Sequence, residues 1–458
     1  MDSIIVGDLI FLVLFTAFVV YFIRKNKKSL SREGIIYMYR TQAGVKAIKA
    51  FSNKYGGFLH SIKYFVTFMG FVLMAGMLWM LGQTLALYVR HPEITQNIKA
   101  PPVAPLIPYF PKLFGMSSFF PPFYFIYFIV AIAIVAIVHE FSHGIFMRLF
   151  NIKIKSTGLV FLGPILGAFV EEKRSSFEKQ KKSEQMTVLA AGVFANTVFA
   201  LIFYALYVGF FFMAFTPSGY IFTSYGLAEV PLSSITGFEE DGNFTKVLTA
   251  NQTFYLDESL SVQREMNLSV LVAYPDAPAV RAGIVGAIIQ GDDVAIKNNE
   301  DLLSFLQTKE PGDSAMITTQ TPERTNTYEI ILGEHPEDST RAYLGIGHSD
   351  PQPRGFIQKF LSKFMSFREH STYYKPNWNS EVVFFVYHFL WWIMIINLLV
   401  ALFNMLPVGM LDGGRFFYLA VLSVTKSEKA AAKLYKLMGY LILASFVVMM
   451  IYWGFGLF

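Results

Sequence analysis

The chain should fold as a polytopic α-helical membrane protein with about six spans and one folded extracytoplasmic domain inserted between two of them. Of its 458 residues, 54% are hydrophobic and 16% are charged, and the apolar residues gather into runs long enough to cross a hydrocarbon layer about 30 Å thick. Lysine and arginine collect in short segments beside those runs, where they set orientation by the positive-inside rule. Between residues 217 and 372 the hydropathy falls and alternating sequence takes over, the pattern of a separate water-soluble domain. The lipid bilayer is therefore the first partner. A net charge of +5, lying largely next to the spans, gives no case for nucleic acid. The chain contains no cysteine, which excludes thiolate metal ligands, disulfides and cysteine nucleophiles.

The first span is Ile4 to Ile23. Asp2 precedes it and Arg24, Lys25, Lys27 and Lys28 follow; this puts the N-terminus outside and marks an anchor, because a cleavable signal carries its positive charge ahead of the apolar stretch. Residues 29–63 are rich in Lys and Arg with Glu33 as their only acid, and are expected to form a basic amphipathic surface helix. Residues 64–89 return the chain to the outside. Prolines from Pro101 to Pro122 forbid a long helix in the outer loop 90–122. A third span, 123–150, runs inward and ends at Arg148, Lys153 and Lys155. Residues 156–170, STGLVFLGPILGAFV, are apolar but too short and too rich in Gly and Pro to span. Backbone of that kind survives at membrane depth only where it lines a cavity, so a hairpin or re-entrant strand is expected. Residues 171–185 read as a solvated cytoplasmic turn, and Thr187 to about Phe215 as the fourth span. The inserted stretch 217–372 holds the Asn-x-Ser/Thr triplets at Asn243, Asn251 and Asn267, which agree with an outside location. Residues 382–406 form a fifth span interrupted at Pro407 and Gly409. Arg415, Lys426 and Lys429 keep 413–432 cytoplasmic, and Leu437–Phe458 is the sixth span.

The chemistry begins where the apolar run from Phe123 flows without a break into His139-Glu140-Phe141-Ser142-His143. Histidines four apart share one helix face and can aim two ring nitrogens at one metal, while Glu140, beside them, can take a proton from a water without being a ligand. This is the His-Glu-x-x-His pattern of zinc peptidases. A solvated, purely structural reading is hard to sustain, since His139 lies roughly 24 Å along the span and a charged group at membrane depth costs about 2.5–3.5 kcal/mol or more. A catalytic zinc wants three protein ligands and one open position. Asp412 is the best third candidate, a carboxylate set among apolar residues in Asn404-Met405-Leu406-Pro407-Val408-Gly409-Met410-Leu411-Asp412. A straight helix from Val382 to Asp412 would run roughly 45 Å, too long for the bilayer, so Pro407 and the glycines must bend the chain back to the depth of the histidine pair.

HEFSHG, AAGVFAN and FNMLPVGMLDGGR together resemble the site-2 protease family of intramembrane zinc metalloproteases. The resemblance covers about 123–205 and 381–425, leaving the first two spans as a peripheral addition. It implies that His139, His143 and Asp412 bind zinc, that Glu140 is the base, that Asn404 helps hold the substrate backbone, and that Asn196 lies at the active-site cleft. Relatives often carry proline where this chain has Val193. PDAPAVRAGIVG, IKNNEDLLSFL, EPGDSAMITT and YLGIG, in that order, are similar to a permuted PDZ domain. That makes the inserted domain α+β, with its PDZ part at about 266–349, and matches Leu344, Gly345, Ile346 and Gly347 to a carboxylate-binding loop. The expected activity is hydrolysis of a transmembrane protein substrate inside the cell membrane, nearer the cytoplasmic face, with the PDZ-like domain outside. Substrates with large ectodomains are expected to need an upstream protease to trim them, the inserted domain serving as the filter. Two other classes are an inactive relative that binds or sorts membrane proteins, which would have lost Glu140 or a ligand, and an ion transporter, which would show inverted repeats.

Overall fold

The computed structural model describes residues 3–91, 101–102, 106–241, 244–261, 263, 269–348, 359, 362–364, 366–409 and 411–455. Asp2, Asn243, Asn267 and the last three residues lie outside that set. The chain divides into two compact units, one running up to Phe210 and resuming at Glu381, the other comprising Phe211–Ser380.

In the first unit, among the described residues, six helices are long and apolar enough to cross a membrane: α1 (Ser3–Lys25), α2 (Ala43–Arg90), α3 (Phe125–Leu149), α4 (Lys182–Ala214), α5 (Ser380–Asn404) and, after the shorter α6 (Asp412–Thr425), α7 (Glu428–Phe455). Of residues 29–63, where a basic surface helix is expected, only those from Ala43 on are α-helical. The stretch divides into a β-hairpin, β1 (Leu30–Glu33) and β2 (Ile36–Thr41), and the first part of α2. Ile36, Tyr37 and Tyr39 are β-branched or aromatic, and Gly34 supplies the turn at φ +63°. Helix α2 starts 21 residues before the expected span and is 48 residues long, roughly 72 Å if straight, with a break at Tyr55 (φ −109°, ψ 15°).

The expected hairpin at 156–170 is present as β3 (Ile154–Leu162) and β4 (Ile165–Glu172), joined through Gly163 at φ +58° and Pro164. Hairpin β1–β2 adds to it, giving one antiparallel sheet in the order β1-β2-β3-β4. Tyr39 pairs with Leu159, and Leu159 with Ala168. Strand β3 is thus interior, and β4 is an edge. The stretch 171–185 is not simply a solvated turn, because Glu171 and Glu172 end β4 and Phe177 is fully buried.

The first two spans are not peripheral. Leu59, Val66, Leu73 and Met74 of α2 share one core with Ile145 and Phe146 of α3, Ala190 of α4 and Phe416 of α6. From α1, Asp8 is 4% exposed and accepts hydrogen bonds from the backbone N–H groups of Phe125 and Ile126, each at 2.9 Å, and from the Tyr109 hydroxyl. A helix begins with N–H groups that have no intrahelical acceptor, so Asp8 caps α3 from another element and brings its negative charge to the positive end of that helix. Removing an acceptor of this kind costs about 1.5–3 kcal/mol. Asp8→Ala should therefore lower the melting temperature of the detergent-solubilised protein, with Asp8→Asn intermediate; an unchanged melting curve for Asp8→Ala would show that the cap carries no stability.

The second unit is α+β. One sheet takes the strands in the order Thr325–Ile331, Ser314–Gln320, Ala287–Gly291, Phe215–Tyr220 and Thr372–Pro376; a second, which motif reading did not anticipate, runs Ala228–Pro231, Val270–Pro275, Thr253–Leu256, Phe244–Thr249 and Ile235–Asp241. Ile284, Ile288, Leu302, Phe305, Ile317 and Leu344 make the core of the first sheet and the helix Asn299–Gln307.

Candidate active site

The two histidines lie on the last turns of α3, with side chains buried against α4. The turns after Asn404 fold the chain back, and α6 begins at Asp412, where the positive end of a helix favours a carboxylate. Gly413 and Gly414 pack so tightly on the backbone at Met405 and Val408 that a Cβ at either would overlap it. The glycine pair therefore lets the start of α6 lie flat on the bend and delivers Asp412 inward.

His139 Nε2 and His143 Nε2 are 3.0 Å apart, and Asp412 Oδ2 is 3.0 Å from the first and 3.2 Å from the second. Three ligands about 2.0–2.1 Å from one zinc would stand about 3.3 Å apart in a tetrahedron, so the three atoms fit one ion with little adjustment. The tautomers agree. His143 Nδ1 is 2.7 Å from the Val188 carbonyl, an acceptor only, so Nδ1 carries the proton and Nε2 presents a lone pair. Asn196 is fully buried, with its amide 3.2 Å from His139 Nδ1 and its Oδ1 otherwise lacking a partner. An amide is interchangeable end for end, and turned so that Oδ1 accepts from Nδ1–H it leaves His139 Nε2 as a lone pair too. Two lone pairs facing each other at 3.0 Å beside a carboxylate are the donor set of a cation.

Gly192 makes room for this cluster. A Cβ there would lie 2.5 Å from His143 Nε2 and 2.7 Å from His139 Cε1. The glycine thus faces the ring pair. Asn196 meets His139 at Nδ1, the ring nitrogen away from the other two ligand atoms. Asn404 lines the cleft, as part of a cavity of about 460 Å³ that also takes in the two histidines, Glu140, Asp412 and strand β4 at Ala168, Val170 and Glu172. Glu140 Oε2 accepts a 2.9 Å hydrogen bond from the Val170 N–H. At the far end of β4, Glu172 Oε1 is 2.9 Å from Arg415 Nη1, and the Arg415 guanidinium stacks 4.0 Å over the Phe177 ring. Motif reading missed Val170, Val188, Glu172 and Arg415, whose roles come from long-range backbone placement. It also passed over Asp8, although a lone acid inside an apolar span is a signal in itself.

In the second unit, the helix Asn299–Gln307 and the strand Asp338–Tyr343 border a groove of about 250 Å³ lined by Leu302, Leu306, Leu344 and Ile346. Gly345 sits at φ +84°, and the Leu344 carbonyl accepts from the Ala279 N–H at 2.9 Å. Gly347, expected among the carboxylate-binding amides, donates its N–H to the Ser224 carbonyl at 2.9 Å, so that amide is already engaged within the chain.

A family model described as Peptidase family M50 matches residues 127–447, well over half of the chain, from the first turn of α3 through most of α7. An uncharacterized protein of Methanocaldococcus jannaschii is 43% identical over 74 residues, 16% of this chain and 20% of the relative. The chain thus spans one fifth of that relative's length.

Proposed function

This chain belongs to peptidase family M50, a family of membrane metalloproteases, and we propose that it hydrolyses peptide bonds of transmembrane substrates with a zinc ion held by His139, His143 and Asp412. The observation that carries the reading is the meeting of those three ligand atoms, 3.0–3.2 Å apart, with Glu140 in a cavity walled on one side by the edge of β4. Zinc, when bound, supplies Lewis acidity to the scissile carbonyl and to the attacking water. Glu140 receives the water's proton and passes it to the leaving amine. Its Oε2 is oriented by Val170, leaving Oε1 for that transfer. Asn404, with both donor and acceptor in its side chain, holds the exposed substrate backbone.

A helical substrate hides its own carbonyls, so it must be opened before hydrolysis; pairing with the edge of β4 holds it open by β-augmentation. An unpaired strand edge at membrane depth is tolerated because it faces a cavity. Strand β3 cannot be that edge, since β2 occupies its other side.

Metal analysis of purified variants tests the ligand set. Asp412→Ala should weaken zinc by more than the about 10–100-fold that losing an outer-shell partner costs, whereas Asn404→Ala should keep zinc and cut more slowly. Full zinc in Asp412→Ala would move the third ligand elsewhere. For the inserted unit we propose the size filter, with trimming by another protease upstream. Replacing 217–372 by a flexible Gly/Ser linker should let untrimmed substrates be cut; a folded, active linker variant that still refuses them would remove that role from the domain.

A further inference from the structure

The hydrogen bonds of β4 carry a second piece of information, which rests on the peptidase reading above. Along a strand, successive residues turn their N–H and C=O groups to opposite sides. Val170 gives its N–H to Glu140, away from β3, while Lys173 gives its N–H to Lys153 on the β3 side. By that alternation Leu166 and Ala168 share the outward direction of Val170. Among the described residues, β4 has no partner strand on that side. At Ala168, which lines the cavity, β4 therefore offers an N–H and a C=O, and Leu166 continues the same outward direction toward the hairpin turn. At Val170 the sequence of donors stops, because the catalytic carboxylate already holds that N–H.

We propose that the Val170–Glu140 hydrogen bond sets the cleavage register: the bond cut is the one whose carbonyl would have accepted from the Val170 N–H. A carbonyl that accepts from a strand N–H is held in the ladder by that bond, at a fixed place along β4. The first carbonyl beyond the ladder has a free oxygen and lies beside Glu140, His139 and Asp412, which line the same cavity as Val170. Leu166 and Ala168 bind and Val170 terminates, so their spacing along β4 fixes the distance between the last paired residue of the substrate and its scissile bond. Paired residues repeat every two positions on both strands. Ala168 then stands opposite the substrate residue two positions from the one that carries the scissile carbonyl. That offset is two positions on the C-terminal side for antiparallel addition; for parallel addition, whose hydrogen bonds slant, the residue opposite Ala168 is one position on the N-terminal side.

The absence of cysteine makes the test clean. Single cysteines are placed at Ala168 or Leu166 in the Glu140→Gln background, where the glutamine oxygen still accepts from Val170 and bound substrate persists. A transmembrane substrate carrying one cysteine, scanned along its sequence, is cross-linked to each with a short bismaleimide, and the cut site is mapped separately with the unaltered chain. Ala168→Cys should cross-link most strongly two positions from the residue bearing the scissile carbonyl, within one residue. Leu166→Cys should peak two positions further away on the same side. Peaks that coincide, a peak for Ala168→Cys four or more residues from the cut, or no cross-link from either position while the unaltered chain cuts that substrate, would each overturn the register. Failure of the unaltered chain to cut any transmembrane substrate would instead strike at the peptidase reading itself.

Discussion

Glu140→Gln is expected to lose at least the about 10²–10⁴-fold that a positioned general base contributes, and to keep its zinc. The substitution preserves size and leaves an amide oxygen that can still accept from the Val170 N–H, 2.9 Å away in the parent, so β4 and the cleft walls stay in place. What disappears is a group basic enough to take the proton of water. The three nearby ligand atoms belong to His139, His143 and Asp412, so metal content should match the parent. Zinc measured per chain and cleavage of a transmembrane substrate in the same preparation decide the matter. Undiminished cleavage would remove Glu140 from the mechanism.

Gly192→Ala should be nearly as damaging by the opposite route, through the metal. The added methyl would stand 2.5 Å from one histidine ring and 2.7 Å from the other, inside van der Waals contact. Neither ring is free to yield, because Val188 holds His143 and Asn196 holds His139. Alanine is also the better helix former by about 1 kcal/mol, so the helix itself should survive. The expected result is a folded protein with little zinc and little activity. Full zinc occupancy would show that the rings shift together and that the cluster is softer than its hydrogen bonds suggest.

The parts of this site that could be read from sequence are those whose chemistry is local. His139 and His143 are tied by one helical turn, and Asp412 stood out because a carboxylate beside Pro407 and a glycine pair lacked another purpose. The rest depends on partners distant in sequence. That β2 belongs to the sheet of β3 is decided by pairing between Tyr39 and Leu159; the basic residues around it suggested a surface helix instead, because charge speaks of the interface and says nothing of strand partners. Asn196 carried a cleft role by resemblance, and only the crossing of α3 and α4 shows that its amide meets His139 Nδ1. Which edge of the β3–β4 hairpin is open was likewise undecided until β1 and β2 were found on the other side.

The reach of Asp8 into the first turn of α3 bears on how the protein can be produced and altered. The first span leaves the ribosome ahead of the helix it will cap, so the acceptor is already in the bilayer when the donors arrive. A leader sequence, fusion partner or foreign anchor substituted for residues 3–25 would preserve membrane insertion and topology while leaving the Phe125 and Ile126 amides unanswered in apolar surroundings. Such a product would pass every test of targeting and still present its histidines on a helix with a frayed beginning. Expression work therefore has to treat residues 3–25 as part of the unit that holds His139 and His143.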